Sequence, residues 1–336
     1  MIETSLQSEP VMLPGRLIRN IAAYALITAL MLMVSSLSVF LPAVLIHCAI
    51  SYGRRSAWIA LAIASALALL VIGVSPATVA AKPMLLFIVT MIASVALPAM
   101  LALPMIQRGE AFGRVLMVLL IGSAIGLGVV EVGARAVASF SPYAMYLAEA
   151  KSASTELMKR YAASGMPSAA VAFAQRWSDY YSTVLLPAGL LLSSAISFVL
   201  SLMMIGRLRA WYEFAARRDI TTPGVYLFRN FALPDWVLFA FIAGGLAPLA
   251  KGTLQTIAAN VLMVTLFLYM LQGFALLRSL LAAVGVGFIG ALFAFGVVFI
   301  TGVGPFLLAV AGLFDPFFDF RHFKKRKDDS HEGHSD

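Results

Sequence analysis

Apolar residues run along this chain in long stretches almost free of charge, and the polar intervals between them are short. From Asn20 to Gly53 there is no Asp, Glu, Lys or Arg. The same holds over Ser56–Ala81, Pro83–Gln107, Tyr180–Gly206, Gly252–Leu277 and Ser279–Phe314. A stretch of about 20 apolar residues crosses a hydrocarbon core about 30 Å thick, and a helix satisfies its own backbone while doing so. The pattern therefore predicts an all-α fold, a polytopic helical integral membrane protein. Ten apolar segments are expected, at 17–35, 38–52, 57–75, 83–106, 112–133, 183–206, 235–250, 253–276, 280–300 and 304–318. The second, seventh and tenth are short. Pro42 lies near the first junction and Gly302-Val303-Gly304-Pro305 separates the last two segments, so each pair reads as a tight hairpin or as one span plus a re-entrant piece. The expected count is eight to ten transmembrane segments.

Two connections are long enough to fold. Residues 134–182 contain Leu147–Ala163, with Glu156 and Arg160 four apart, then Gly165-Met166-Pro167 and Ser168–Tyr181, which reads as two short helices broken at the glycine and proline. Residues 207–233 carry Trp211, Tyr212, Phe214, Arg217 and Arg218 and read as an interfacial helix followed by a turn at Thr221-Thr222-Pro223-Gly224. The organisation expected is a tail at 1–16, a first bundle at 17–133, a helical loop at 134–182, a second bundle at 183–318 and a basic tail at 319–336.

Charge adds sidedness. With the N-terminus in the cytoplasm, 17 of the 24 Lys and Arg fall on cytoplasmic connections, including Arg54, Arg55, Arg207, Arg209 and the tail from Arg321 to Lys327. The excess places both termini inside, makes 207–233 cytoplasmic and makes 134–182 extracytoplasmic. The net charge of +8 then serves topology and anionic lipid headgroups, and nucleic acid is not expected as a partner. Trp58, Trp177, Trp211 and Trp236 all stand at expected helix ends, the headgroup depth that indole rings prefer. The apolar stretch after Arg16 and Arg19 continues past Ser36-Leu37-Ser38 without a cleavage site, so it reads as a retained first helix.

Candidate chemistry is sparse. No nucleotide-binding loop, nucleophile elbow, His pair or Cys cluster occurs, and no enzyme activity, metal or cofactor is expected. The single cysteine, Cys48, lies in an apolar run and excludes an intrachain disulfide. Polar groups at membrane depth are the default functional candidates. Four are singled out as ligand-binding residues: Glu131, which Arg135 can pair on one helix face, His47, Asn260 and Gln272. For Asn260 and Gln272, hydrogen bonds between helices are the simpler reading. Ala25-x3-Ala29 and Gly122-x3-Gly126 permit close helix packing, and the first is a candidate contact for a partner helix. In Gly312–Arg321 the Asp315-Pro316 pair suits a helix N-cap and first turn, so a transmembrane helix is expected to stop near Asp315 and a short interfacial helix to begin.

Three stretches resemble signature regions of the YybS-like predicted membrane proteins, a bacterial family of unknown function. They are Phe231-Ala-Leu233-Pro234-Asp-Trp236, Leu271-Gln272-Gly273-Phe-Ala275 and Gly312–Arg321, the last with Asp315, Asp319 and Arg321. The resemblance implies a bacterial integral membrane protein distantly similar to the substrate-binding components of energy-coupling-factor transporters. Such a subunit has no ATPase and needs a separate energising partner. The competing expectation is a structural or assembly factor that docks a cytoplasmic partner through 207–233 and the basic tail.

Overall fold

The computed structural model describes residues 14–74 and 81–318. Helices are α1 (Pro14–Met33), α2 (Leu41–Tyr52), α3 (Arg54–Val74), α4 (Ala81–Met91), α5 (Leu97–Gln107), α6 (Phe112–Ala138) and α7 (Pro142–Ala163). They continue as α8 (Ser168–Tyr180), α9 (Leu186–Ile205), α10 (Arg209–Arg217), α11 (Trp236–Gly245), α12 (Thr253–Ala283), α13 (Phe288–Ile300) and α14 (Gly304–Phe318). Two junctions are single wide turns, so that α4 runs through Ile92–Ala96 into α5, and α8 runs through Tyr181–Leu185 into α9.

Six helices among the described residues are long and apolar enough to cross a membrane: Gly15–Met33, Arg54–Val74, Pro83–Gln107, Phe112–Val137, Ser168–Ile205 and Thr253–Ala283. A seventh is obtained if α13 and α14, bent by 112°, count as one broken span. The expected eight to ten is not reached by this measure. Segment 38–52 is the reason on one side: α2 has 12 residues, and most of them, from Leu41 to Ile50, are buried among other helices. At about 1.5 Å per residue it reaches about 18 Å, well short of the hydrocarbon core. Segment 235–250 fails in the same way, because α11 has 10 residues.

Small residues set the packing. Ala25 and Ala29 of α1 and Ala57, Ala60, Ala64 and Ala68 of α3 are all buried, and α1 packs chiefly on α3. The Ala25-x3-Ala29 face is therefore an internal contact and is not available to a partner helix. Gly126 of α6 lies against the wide turn: a Cβ placed there would stand 2.1 Å from the Ala93 carbonyl oxygen.

Loop 207–233 folds onto the bundle. Trp211 is fully buried and its Nε1 donates to the Pro223 carbonyl at 2.7 Å. Its ring meets Tyr226 at 5.0 Å between centroids, and Phe112 packs edge-on against both Tyr226 and Phe231. The Tyr226 hydroxyl donates to the Ile106 carbonyl at 3.4 Å. The apolar face of α10 (Trp211, Phe214, Ala215) thus covers this protein's own helix ends, while Arg209, Arg217 and Arg218 stay exposed. Trp211 is the exception to the headgroup assignment; Trp177 and Trp236 are exposed and Trp58 is half-buried.

Two further expectations change. The helix beginning at Ser168 does not end before the span but continues into it, as one helix from Ser168 to Ile205. The break at Gly165-Met166-Pro167 does separate it from α7. At the other end, α14 passes through Asp315 and Pro316 to Phe318 without stopping. Proline removes one backbone donor within the helix, a loss that neighbouring helices and side chains in a membrane bundle can offset.

Candidate functional site

The four candidate residues occupy four separate places. His47 of α2 faces α1, where the Tyr24 hydroxyl shares a hydrogen bond with His47 Nδ1. Beside it Asn20 Nδ2 donates to the Tyr52 hydroxyl at 3.1 Å, and the Tyr24 and Tyr52 rings meet edge-on at 5.7 Å. This is a half-buried polar seam tying α1 to α2.

Asn260 repairs a helix joint. Its Oδ1 accepts from the Ala188 N–H at 2.7 Å and its Nδ2 donates to the Val184 carbonyl at 2.7 Å. In a regular α-helix those two backbone groups bond each other. Here the wide turn Tyr181–Leu185 precedes them, and the amide from α12 stands between them. Nδ2 also donates to the Thr256 carbonyl one turn earlier in its own helix, at 2.7 Å. All the bonding capacity seen for this amide goes to backbone.

Gln272 brings the three motif stretches together. Its Oε1 accepts from the Leu233 N–H at 3.0 Å, and its Nε2 lies 3.5 Å from Asp315 Oδ2. Both Gln272 and Asp315 are buried. The next residue, Gly273, has its backbone against α14: a Cβ there would stand 1.9 Å from the Leu308 carbonyl oxygen, and one on Gly312 would stand 2.1 Å from that of Tyr269. A cavity of about 260 Å³ opens beside this junction between Pro234, Asp235, Tyr269 and Pro316. Asp319 and Arg321 lie outside the described residues.

Glu131 sits where α6 hands over to α7, beside a cavity that it lines. Oε1 accepts from Arg135 Nε at 2.6 Å and from the Ser141 hydroxyl at 2.5 Å, and Oε2 accepts from the Tyr143 N–H at 2.8 Å. Ser141 is also the N-cap of α7, its Oγ accepting from the Ala144 N–H at 3.1 Å. A carboxylate at this position suits the positive end of the helix. Burial, and then the Glu131 carboxylate, push the Tyr143 phenol up from its ordinary value. One turn into α7, the Tyr146 hydroxyl donates to Thr90 Oγ1 at 3.2 Å, which holds α7 across α4. Beneath it lies a cavity of about 360 Å³ between α4, α6, α7 and α9, with Leu127, Pro187, Leu190 and Leu191 on its apolar walls. Of its polar lining, Glu131 and Arg135 stand out in the sequence. Thr90, Tyr143 and Tyr146 do not stand out in the sequence; the faint signal is Thr90, which with Ser94 is one of two hydroxyl residues in the apolar run 83–107.

The chain belongs to the DUF2232 family of predicted membrane proteins. The family model matches residues 21–316, from α1 to the end of the Asp315-Pro316 pair, and includes all four candidate residues. No curated protein and no solved structure matches the chain. The DUF2232 assignment agrees with the six long apolar helices in making this a multi-pass membrane protein.

Proposed function

We propose that this DUF2232 protein is the substrate-binding component of a membrane transport system, without its own ATPase and dependent on a separate energising partner. The observation that carries the reading is the cavity under α7. Its volume of about 360 Å³ falls in the range of small-molecule pockets, its walls are apolar, and a few polar groups converge at its rim. The resemblance of the Leu233-Pro234, Gln272-Gly273 and Asp315 stretches to YybS-like proteins, and through them to energy-coupling-factor substrate-binding components, supports the same reading. Gly128 lines the cavity and a Cβ there meets no heavy atom within 4 Å, so Gly128→Leu fills the space without disturbing the backbone. Protein extracted from native membranes into lipid nanodiscs is expected to release a small molecule on denaturation, detected by mass spectrometry, and Gly128→Leu is expected to lose it. An identical small-molecule profile for the two proteins would remove the support for a binding role.

The orientation proposed with this function places the α7–α8 hairpin outside a bacterial cytoplasmic membrane and the arginine-rich loop 207–233 inside. Its support is that Arg54, Arg55, Arg108, Arg114 and the arginines of 207–233 share one side of the four consecutive spans from Arg54 to Ile205. A reporter fused near Ser154 is expected to report the outside and one after Arg218 the cytoplasm; a cytoplasmic Ser154 would invert the assignment and put the cavity on the wrong face for uptake.

A second reading, an assembly factor with a cytoplasmic partner, is favoured by one feature. Arg209, Arg217 and Arg218 remain exposed on the outward face of α10 after its aromatic face is buried.

A further inference from the structure

The hydrogen-bonding state of the cavity rim narrows the chemistry of what it can hold, an argument that rests on reading the cavity as a binding site. Both oxygens of Glu131 are already served by protein donors, Oε1 by Arg135 Nε and the Ser141 hydroxyl and Oε2 by the Tyr143 N–H. The Tyr146 hydroxyl is directed to Thr90. The Glu131 carboxylate thus already accepts three hydrogen bonds and its charge is balanced by Arg135, so a cationic ligand would meet the guanidinium along with the carboxylate.

Arg135 is in the opposite position. Its Nε is bound to Glu131, one Nη2 contact reaches Ser141 at the long distance of 3.4 Å, and no other partner occurs among the described residues. Its side chain is 63% exposed while lining the cavity. A guanidinium has five N–H donors in a planar fork that matches the two oxygens of a carboxylate. The rest of the wall is mostly apolar, with Ala124, Leu127, Pro187, Leu190 and Leu191, and its remaining polar groups are the neutral hydroxyls of Thr90, Tyr143 and Tyr146. We infer that the cavity takes a small molecule with an apolar body and one anionic, carboxylate-like head, the head docking on the Nη edge of Arg135. Glu131 is then a positioning residue: it holds the guanidinium through Nε and leaves the fork to the ligand.

Three probes that share one two-ring apolar body and differ in the head test this: naphthoate, naphthylmethanol and naphthylmethylammonium. Binding is measured by equilibrium dialysis against the full-length protein in phosphatidylcholine nanodiscs, counted above that to protein-free nanodiscs. Naphthoate is expected to bind about tenfold more tightly than the alcohol, the scale of one charge-assisted bidentate contact, with the ammonium weakest. Arg135→Gln is expected to bring naphthoate to the level of the alcohol without altering the alcohol, and Gly128→Leu to remove all saturable binding. If Arg135→Gln fails to fold, Arg135→Lys takes its place and is expected to weaken naphthoate alone; equal weakening of all three probes would overturn the proposal. Alcohol or ammonium binding as tight as naphthoate, still lost in Gly128→Leu, would overturn the anionic head while leaving the cavity reading intact. No saturable binding of any probe would remove both.

Discussion

Gly273→Leu is expected to unfold the junction of α12 and α14. Even the first carbon of a side chain would stand 1.9 Å from the Leu308 carbonyl oxygen, and the obstacle is backbone, which cannot rotate aside as a side chain does. Overpacking a core costs about 1–3 kcal/mol where neighbours can adjust. Here the helices themselves must separate, so the loss should exceed that range. Gly312→Leu meets the Tyr269 carbonyl at the same crossing and should behave alike. Gln272→Leu, one residue away, leaves the Leu233 N–H and a buried carboxylate oxygen without their amide partner, at about 1–3 kcal/mol for a buried group. Apparent melting temperature in detergent should therefore fall most for Gly273→Leu, then Gln272→Leu, with Gly128→Leu close to the parent protein. A Gly273→Leu protein that melts with the parent would mean that the two helices do not cross at this point.

Trp211→Ala should release the loop that closes the arginine-rich end. Removing a fully buried indole costs about 3–5 kcal/mol. Trp211→Phe keeps most of the packing and loses the bond to the Pro223 carbonyl, roughly 1 kcal/mol. Because the loop covers the bundle without forming its centre, the alanine variant should still insert in the membrane. The readout is trypsin cleavage after Arg217 or Arg218, both already exposed, which should become much faster in Trp211→Ala and change little in Trp211→Phe. Equal cleavage rates in all three proteins would show that the loop is not held by this side chain.

Both predictions depend on contacts that hydropathy does not display. Trp211 has the amphipathic indole and the position of a headgroup anchor, and nothing in its neighbours shows that Tyr226, Phe112 and Phe231 converge on one cluster. The same applies to Asn260. A polar residue in a transmembrane helix announces a hydrogen bond, and that much was legible. The partners lie 72 and 76 residues away at a helix joint created by a wide turn, which carries no sequence signature of its own. The Asp315-Pro316 pair misled for a related reason. Proline after a carboxylate suits a helix start locally, while packing of α14 on α12 carries the helix through.

What the sequence determined by itself was the class of protein, the long helices and the Gly165-Met166-Pro167 break, because hydropathy, charge and turn propensity act over one helix length. It also pointed to Glu131 with Arg135, since four residues on one helix make neighbours of their side chains. The number of spans, the direction faced by Ala25 and Ala29, the meeting of Leu233, Gln272 and Asp315, and the cavity beneath α7 were decided by the tertiary structure. Each of these depends on which helices become neighbours, and in a bundle that choice is made by small residues and single polar side chains acting across distant parts of the chain.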